Sequence, residues 1–107
     1  MPQPPVLTPD QRQAALAKAA AARKTRAELK EHLKVGDVSL AEVFERARTD
    51  EVVAGTKILT VLESLPRVGK VKARRTMEEI GISESRRVRG VGTAQHSALL
   101  EAFPARP

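Results

Sequence analysis

The feature that most constrains the fold is an uninterrupted run of helix-forming residues in the first third of the chain. From Pro9 to about Lys34 there is no glycine and no further proline, and Ala, Leu, Glu, Lys and Arg dominate. These residue types favour the helical state. Thr8 and Gln11 have the types and the spacing of a capping box, with Pro9 at the first helical position. Gly36 is placed to end the helix. The run therefore predicts one long helix.

Shorter helices are predicted for the rest of the chain, because no alternating pattern typical of a strand stands out. Ser39 and Glu42 form a second capping box, which opens a helix ending near Arg48. The pattern breaks from Thr49 to Gly55. Three further helices are predicted: TKILTVLESL up to the stop at Pro66, a helix from Gly69 to about Ile80 closed by Gly81, and, after a connector with one helical turn, a helix from Thr93 to Phe103. The predicted fold class is all-α.

The composition limits the core and the kind of site that the chain can build. Only 2% of the 107 residues are aromatic, all of them Phe, so Leu, Val, Ile and Ala must form a small core. Absence of Cys excludes disulfides and thiolate metal sites. We expect no metal and no cofactor. His32 and His96 have no paired carboxylate or nucleophile in a recognisable spacing, so we expect no enzymatic activity.

The charge points to a polyanionic partner. A net charge of +6 and a pI near 10.3 favour nucleic acid. Seven Lys/Arg stand against three acids over residues 8–34, two against five over 37–51, and eight against three over 65–92. Two basic regions therefore flank an acidic helix, as in a body with segregated faces. There is no apolar run of about 18 residues and no secretory signal pattern, so we expect a cytoplasmic protein without a membrane partner.

Two segments share one turn pattern. LPRVGKVKARRTM and VRGVGTAQHSALL align at an offset of 23 residues, with Val68-Gly69 over Val91-Gly92. Each turn leads into a helix and resembles the phosphate-binding element of helix-hairpin-helix proteins. Glycine lets the backbone approach an anion closely, and the following helix presents free N–H groups and the positive end of its dipole. The second copy has glycine on both sides of its valine, whereas Arg67 replaces the leading glycine in the first. We interpret the pair as a phosphate clamp.

Basic side chains accompany both turns. Lys70, Lys72, Arg74 and Arg75 follow the first turn, and Arg86, Arg87 and Arg89 precede the second. Such side chains position a protein on the phosphate backbone rather than read bases. On the helix after the first turn, the residues predicted to serve the core are Val71, Met77 and Ile80. The structural alternative is that Glu78, Glu79 and Glu84 pair with some of these cations at the surface. Most of the positive charge would still be left over.

The long helix has a basic face. At 100° per residue, five cations fall within a sector of roughly 80°: Arg12, Arg23, Arg26, Lys30 and Lys34. Leu29 and Leu33 lie on a neighbouring stripe. The amino-terminal half offers mainly alanine and Leu16 for packing, so we expect it to extend away from the body. The basic face is predicted to lie along a duplex as a second surface, the alternative being a merely solvated face. A membrane-surface role is disfavoured because the face lacks Trp, Phe and multiple Leu.

Three segments together resemble the actinobacterial integration host factors: LTPDQRQAALAKAAAARKTRAELKEHLK, LESLPRVGKVKARRTMEEIGI and RRVRGVGTAQHSALLEAF. The resemblance covers about residues 7–103. It implies an all-helical protein with a long N-terminal helix and a compact multi-helix domain of the helix-two-turns-helix type. The implied division is a flexible lead-in at 1–8, the long basic helix at 9–35, the helix-two-turns-helix domain at 36–103 and a tail at 104–107.

The resemblance also implies a function. The family is nucleoid-associated, binds double-stranded DNA with little sequence preference, bends it and can assist phage integration. Phage integrase–DNA complexes are thus a further implied partner, the nucleoid the implied location, and a monomer is expected. Together with the turn analysis, it predicts DNA contacts at Arg67, Val68, Gly69, Lys70, Lys72, Arg74, Arg86, Arg87, Arg89, Gly90, Gly92 and Thr93.

Two alternative functions remain open at the level of sequence. The first keeps the fold and replaces the ligand by structured RNA in a ribosome-like setting. The second is an adaptor whose helices dock a protein partner and whose charge is incidental. Competition between duplex DNA and duplex RNA separates the first from DNA binding, and the second predicts no gel shift at physiological salt.

Overall fold

The helices account for most of the chain. The computed structural model describes residues 8–104, and within that range no strand forms. Helices α1 to α6 span Pro9–Val35, Leu40–Ala47, Glu51–Ala54, Ile58–Ser64, Gly69–Ile80 and Thr93–Ala102, and a 3₁₀ turn at Val88–Gly90 precedes α6. The all-α prediction is confirmed. The predicted lead-in and tail lie almost wholly outside the described residues; of the two segments, only Thr8 and Pro104 are described.

Side-chain caps fix the starts of the first two helices, as the sequence predicts. The Thr8 hydroxyl accepts from the Gln11 amide at 3.1 Å, and the Gln11 side-chain oxygen accepts from the Thr8 amide at 3.0 Å. Ser39 and Glu42 make the same reciprocal pair at the start of α2. Gly36 ends α1 with φ +82°, a left-handed conformation that favours glycine. These local predictions are confirmed.

A short helix, α3, lies where the sequence predicts a break. The Asp50 carboxylate accepts from the amides of Val52 and Val53 at 2.9 and 3.3 Å, which caps a single turn. Val53 and Ala54, the last two residues of this helix, are buried. The expected interruption over residues 49–55 is therefore wrong, because tertiary burial stabilises a turn too short to show helical periodicity. The aspartate before a Glu-Val-Val-Ala run was the available signal.

Helix α1 is anchored to the body only through its carboxyl-terminal half. Leu29 and Leu33 are buried in the core, which consists otherwise mainly of valine, leucine and isoleucine from the shorter helices. All residues of α1 from Pro9 to Ala21 are exposed, and Leu16 keeps 59% of its surface in contact with solvent. At 1.5 Å per residue the helix is about 40 Å long. The expectation that its amino-terminal half extends from the body is confirmed.

The buried face of α5 differs from the predicted one. Ala73 and Met77, one i, i+4 step apart, are fully buried, and Ile80 is half-buried. Val71, which was expected in the core, is 72% exposed. Two residues correspond to about 200° around a helix, so Val71 faces away from Ala73. The prediction for Val71 is wrong because it ignored alanine as a core-facing residue.

Candidate nucleic-acid interface

The first turn combines a strained backbone with an open helix N-terminus. Arg67 has φ +63° and Gly69 has φ +70°, so two left-handed residues flank Val68. Val68 is half-buried and packs against the core. No side chain within the described part of the protein caps the N-terminus of α5. The first amides of α5 therefore face solvent beside Lys70 and Lys72, as an anion site requires.

Arg67 is the one residue other than glycine in the described range with a positive φ. It occupies the place of the leading glycine in the sequence alignment of the two turns. A left-handed conformation costs a residue with a Cβ roughly 1–2 kcal/mol relative to a right-handed one. The guanidinium is exposed and makes no ion pair among residues 8–104. The backbone strain is thus not offset by a visible side-chain contact.

Two substitutions at Arg67 separate this strain from the loss of charge. Arg67→Gly and Arg67→Ala remove the same cation, but only glycine adopts φ +63° without strain. We expect the glycine variant to be the more stable of the two by about 1 kcal/mol in the free energy of unfolding, measured by urea denaturation. Equal stability of the two variants would show that Arg67 is not strained in solution.

The second turn has a different backbone from the first. Gly92 has φ −72° and ψ 163°, an extended conformation open to any residue. Its amide donates to the Gln95 side-chain oxygen at 3.1 Å. Val91 is half-buried against the core. The shared letters therefore do not produce a shared conformation, and the interpretation of the two segments as one repeated turn is corrected.

Gly90 makes room for a side chain. A Cβ added at this position would lie 2.9 Å from Cδ of Arg86, so the stem of Arg86 occupies the space beside it. The Arg86 guanidinium donates to the Gly90 carbonyl oxygen at 2.7 Å. Arg86 is half-buried and braces the 3₁₀ turn. A glycine at position 90 is therefore also explained by the packing of the Arg86 side chain, besides the predicted approach of the backbone to a phosphate.

The two turns lie at opposite ends of α5. Gly69 begins α5, whereas the Gln95 side-chain amide, next to Gly92, donates at 3.3 Å to the carbonyl of Gly81, which ends α5. Lys72, near the start of α5, lies 6.0 Å over the ring of Phe103, just beyond the end of α6. Helices α5 and α6 are therefore antiparallel. The turns are separated by about the length of α5, roughly 18 Å. The two turns therefore cannot hold the same phosphate, and the binding of one duplex by both turns stays a prediction.

A groove between α1 and the body gathers cations from both. Arg23, Arg26 and Lys30 line it from α1, and Lys57 and Arg87 line it from the body. The remaining lining residues are Ala27, Gly55, Thr56 and Thr60, so no carboxylate lines it among the described residues. We call this set of five cations the basic groove. Three cations from the basic face of α1 and Arg87, one of the cations before the second turn, thus belong to one site.

The other predicted contacts have different surroundings. Arg12 and Lys34 are exposed on α1 but do not line the basic groove. Arg74 forms an ion pair with Glu84, with Nε and Oε1 2.9 Å apart, so the predicted pairing alternative holds for this residue. Arg89 and Thr93 are exposed, Thr93 as the first residue of α6. Lys57, in contrast, was missed, because no sequence pattern places a lone lysine beside Arg87.

The histidines have structural partners. His32 Nδ1 lies 2.9 Å from Asp37 Oδ2 at the end of α1, and the His96 ring packs edge-on against Phe44 with ring centroids 4.2 Å apart.

Over the described residues, no group of three or more His, Cys, Asp or Glu is arranged to hold a metal ion. No helix among these residues is long and apolar enough to cross a membrane.

Comparisons with known proteins give consistent results. A family model described as an S13-like H2TH domain matches residues 33–103. Integration host factors from Mycolicibacterium smegmatis and Mycobacterium tuberculosis are 54% identical over 99 residues, covering 92% of this chain and 94% of each relative. The integration host factor of Streptomyces coelicolor is also 54% identical over 99 residues, covering 92% of both chains. A solved structure of sIHF bound to an 8 bp palindromic DNA matches with a TM-score of 0.78 and 50% identity, over 81% of this chain and 98% of that chain.

Proposed function

Because the chain belongs to the integration host factor family and carries an S13-like H2TH domain, we propose that it is a non-enzymatic, nucleoid-associated protein that binds double-stranded DNA. The contacts are to the phosphate backbone and carry little sequence preference. The structural relative bound to an 8 bp DNA supports duplex DNA as the ligand. The protein acts as a monomer, bends its DNA and assists site-specific recombination, in line with the name that its relatives carry.

The observation that carries this proposal is the basic groove. Its five cations stand on two facing walls, α1 on one side and the body on the other, without a carboxylate in the described lining. Cations spaced along a groove attract a phosphate backbone by charge, which is the sequence-independent part of DNA binding. Among the described residues no Asn or Gln lines the groove, so the bidentate amide contacts that read adenine are absent from its lining.

The first turn supplies a second contact in this proposal. Arg67, Lys70 and Lys72 are exposed there around the open N-terminus of α5. The basic groove and this turn lie at opposite ends of α4, since Lys57 precedes that helix and Pro66 follows it. A rigid body with two separated contacts favours a duplex that curves to meet both, and the deformation is offset by the added contacts.

A salt titration tests the proposal. If each cation of the basic groove neutralises one phosphate, log K against log salt should have a slope of about −4.5, and contacts at the first turn should steepen it. Fluorescence anisotropy of a labelled duplex of mixed sequence, between 50 and 300 mM salt, measures this slope. Duplexes of unrelated sequence should bind alike. Salt-independent binding, or affinity for one sequence only, would contradict the proposal.

The name of the matched domain favours one second candidate function, the binding of structured RNA. The family model is S13-like, after a protein family other than the integration host factors, and structured RNA is the ligand we infer for that alternative. In the same anisotropy assay, unlabelled duplex DNA should displace the probe at lower concentration than duplex RNA of the same sequence. The opposite order would favour the RNA alternative.

A further inference from the structure

Backbone hydrogen bonds join the loop between α3 and α4 to the segment Arg86–Val88. The Ile58 amide donates to the Arg86 carbonyl at 2.9 Å, and the Val88 amide donates to the Thr56 carbonyl at 2.9 Å. These bonds flank the isolated antiparallel bridge between Lys57 and Arg87. Lys57 and Arg87 therefore occupy directly opposed positions.

Buried contacts hold this loop in place. Thr56 is only 4% exposed, and its hydroxyl donates to the Val52 carbonyl at 2.8 Å. Ile58 follows immediately and is fully buried in the core. Two buried neighbours thus fix Lys57 on both sides, so that its backbone is rigid although its side chain is exposed. A preorganised backbone reduces the entropy that a cation loses when it binds.

The loop also orients Arg87. Nη1 of Arg87 donates to the Gly55 carbonyl oxygen, and both residues line the basic groove. A guanidinium has five N–H donors in a fixed planar fork, so one bond to a carbonyl leaves the others available. The Gly55 carbonyl therefore sets the direction of the fork without neutralising its charge.

Lys57 itself is uncompensated. No carboxylate lies within 4.0 Å of its ammonium group among residues 8–104, and its side chain faces the same groove as Arg23, Arg26 and Lys30. A cation without an acidic partner, beside four others, raises the local positive potential. A bound phosphate would relieve the repulsion among these cations.

We propose that the loop Gly55–Lys57 organises the body side of the basic groove: its backbone holds Lys57 in place for the phosphate contact, and Gly55 is a positioning residue whose carbonyl aims Arg87 into the groove. This inference rests on the proposed function and gives a role in it to a loop that the sequence predicts partly as a break, at Gly55, and partly as the start of a helix, at Thr56 and Lys57. It places one side of the phosphate contact on the body rather than on the exposed helix.

The first test is Lys57→Gln, with Lys18→Gln as the control of equal charge. Lys18 lies on α1 about 140° from Arg23 and does not line the groove. Loss of one phosphate contact should make the salt slope shallower by about 0.9 and weaken binding about fivefold at 0.15 M salt. Thermal unfolding should be unchanged in both variants. If Lys57→Gln binds like Lys18→Gln, Lys57 is not a contact.

The second test addresses the positioning of Arg87. Arg87→Lys keeps the charge but cannot both donate to Gly55 and present a fork to a phosphate. We expect a several-fold rise in Kd with an unchanged salt slope, whereas Arg87→Gln should also lose about 0.9 of the slope. Full retention of affinity by Arg87→Lys would show that charge alone matters and would overturn the role of Gly55.

Amide chemical shifts give an independent measurement on the wild-type chain. During titration with a short mixed-sequence duplex, the Gly55 and Lys57 amides should shift together with that of Arg87. Shifts confined to α1 and the first turn would overturn the inference while leaving the proposed function intact. If the wild-type chain showed no duplex binding at all, the proposed function itself would fail.

Discussion

Replacing Arg23, Arg26 and Lys30 together by glutamine should weaken duplex binding by about 100-fold at 0.15 M salt, since three phosphate contacts are lost. The salt slope should become shallower by about 2.7, measured by anisotropy as for the wild-type chain. All three side chains are exposed, and glutamine has nearly the helix propensity of arginine and lysine. Thermal unfolding should therefore change little.

A control variant with the same loss of charge separates the contribution of the basic groove to DNA affinity from the contribution of the net charge. Lys18, Lys24 and Arg48 are exposed cations that do not line it. Replacing these three by glutamine lowers the net charge by the same amount. We expect a much smaller loss of affinity than in the groove variant. Equal losses would mean that net charge, and not the basic groove, governs binding.

The second large effect should come from Leu33→Ala. Leu33 is fully buried and is one of the two residues that anchor α1 to the core. Removing a buried leucine side chain costs about 2–5 kcal/mol in the free energy of unfolding. In a domain of this size that lowers Tm by at least about 10 °C, measurable by circular dichroism. DNA affinity should fall as well, because α1 forms one wall of the basic groove.

Leu16→Ala is the matched control on the same helix. Leu16 is 59% exposed and lies in the stretch of α1, from Pro9 to Ala21, in which every residue is exposed. Alanine has the higher helix propensity, so this variant should be as stable as the wild-type chain or slightly more stable. A marked loss of stability would show that the amino-terminal half of α1 packs against something in solution.

Local sequence signals sufficed for most of the helices. Thr8 with Gln11, and Ser39 with Glu42, each define a helix start within four residues, and Gly36 defines an end. Such features are determined by neighbours in the chain, which is why the sequence predicts them. Helix α3 was not predicted, because a single turn is too short to show helical periodicity and is stabilised by the burial of Val53.

The candidate site was predictable only in part, because it is assembled by tertiary packing. The sequence indicates Arg87 and the basic face of α1 separately, but nothing in it shows that they face each other across one groove. Lys57 joins the groove through a backbone bridge to Arg87, a contact between residues far apart in the chain. Whether these residues contact DNA stays a prediction.

The turns show the limit of pattern matching at the level of the backbone. Gly69 and Gly92 occupy equivalent places in the aligned segments, yet one is left-handed and the other extended. The difference arises from the flanking residues: Arg67 already reverses the chain before Gly69, whereas a 3₁₀ turn precedes Gly92. A glycine in a motif permits a conformation without imposing it.

The elongated shape of the molecule has a consequence for how densely its copies can cover a DNA duplex. The described residues extend over 50 × 33 × 25 Å, the longest dimension being much longer than the others. At 3.4 Å per base pair, 50 Å corresponds to about 15 base pairs and 33 Å to about 10. Saturating stoichiometry on long DNA would therefore distinguish a molecule lying along the duplex from one lying across it, and would set the density at which neighbours begin to exclude one another.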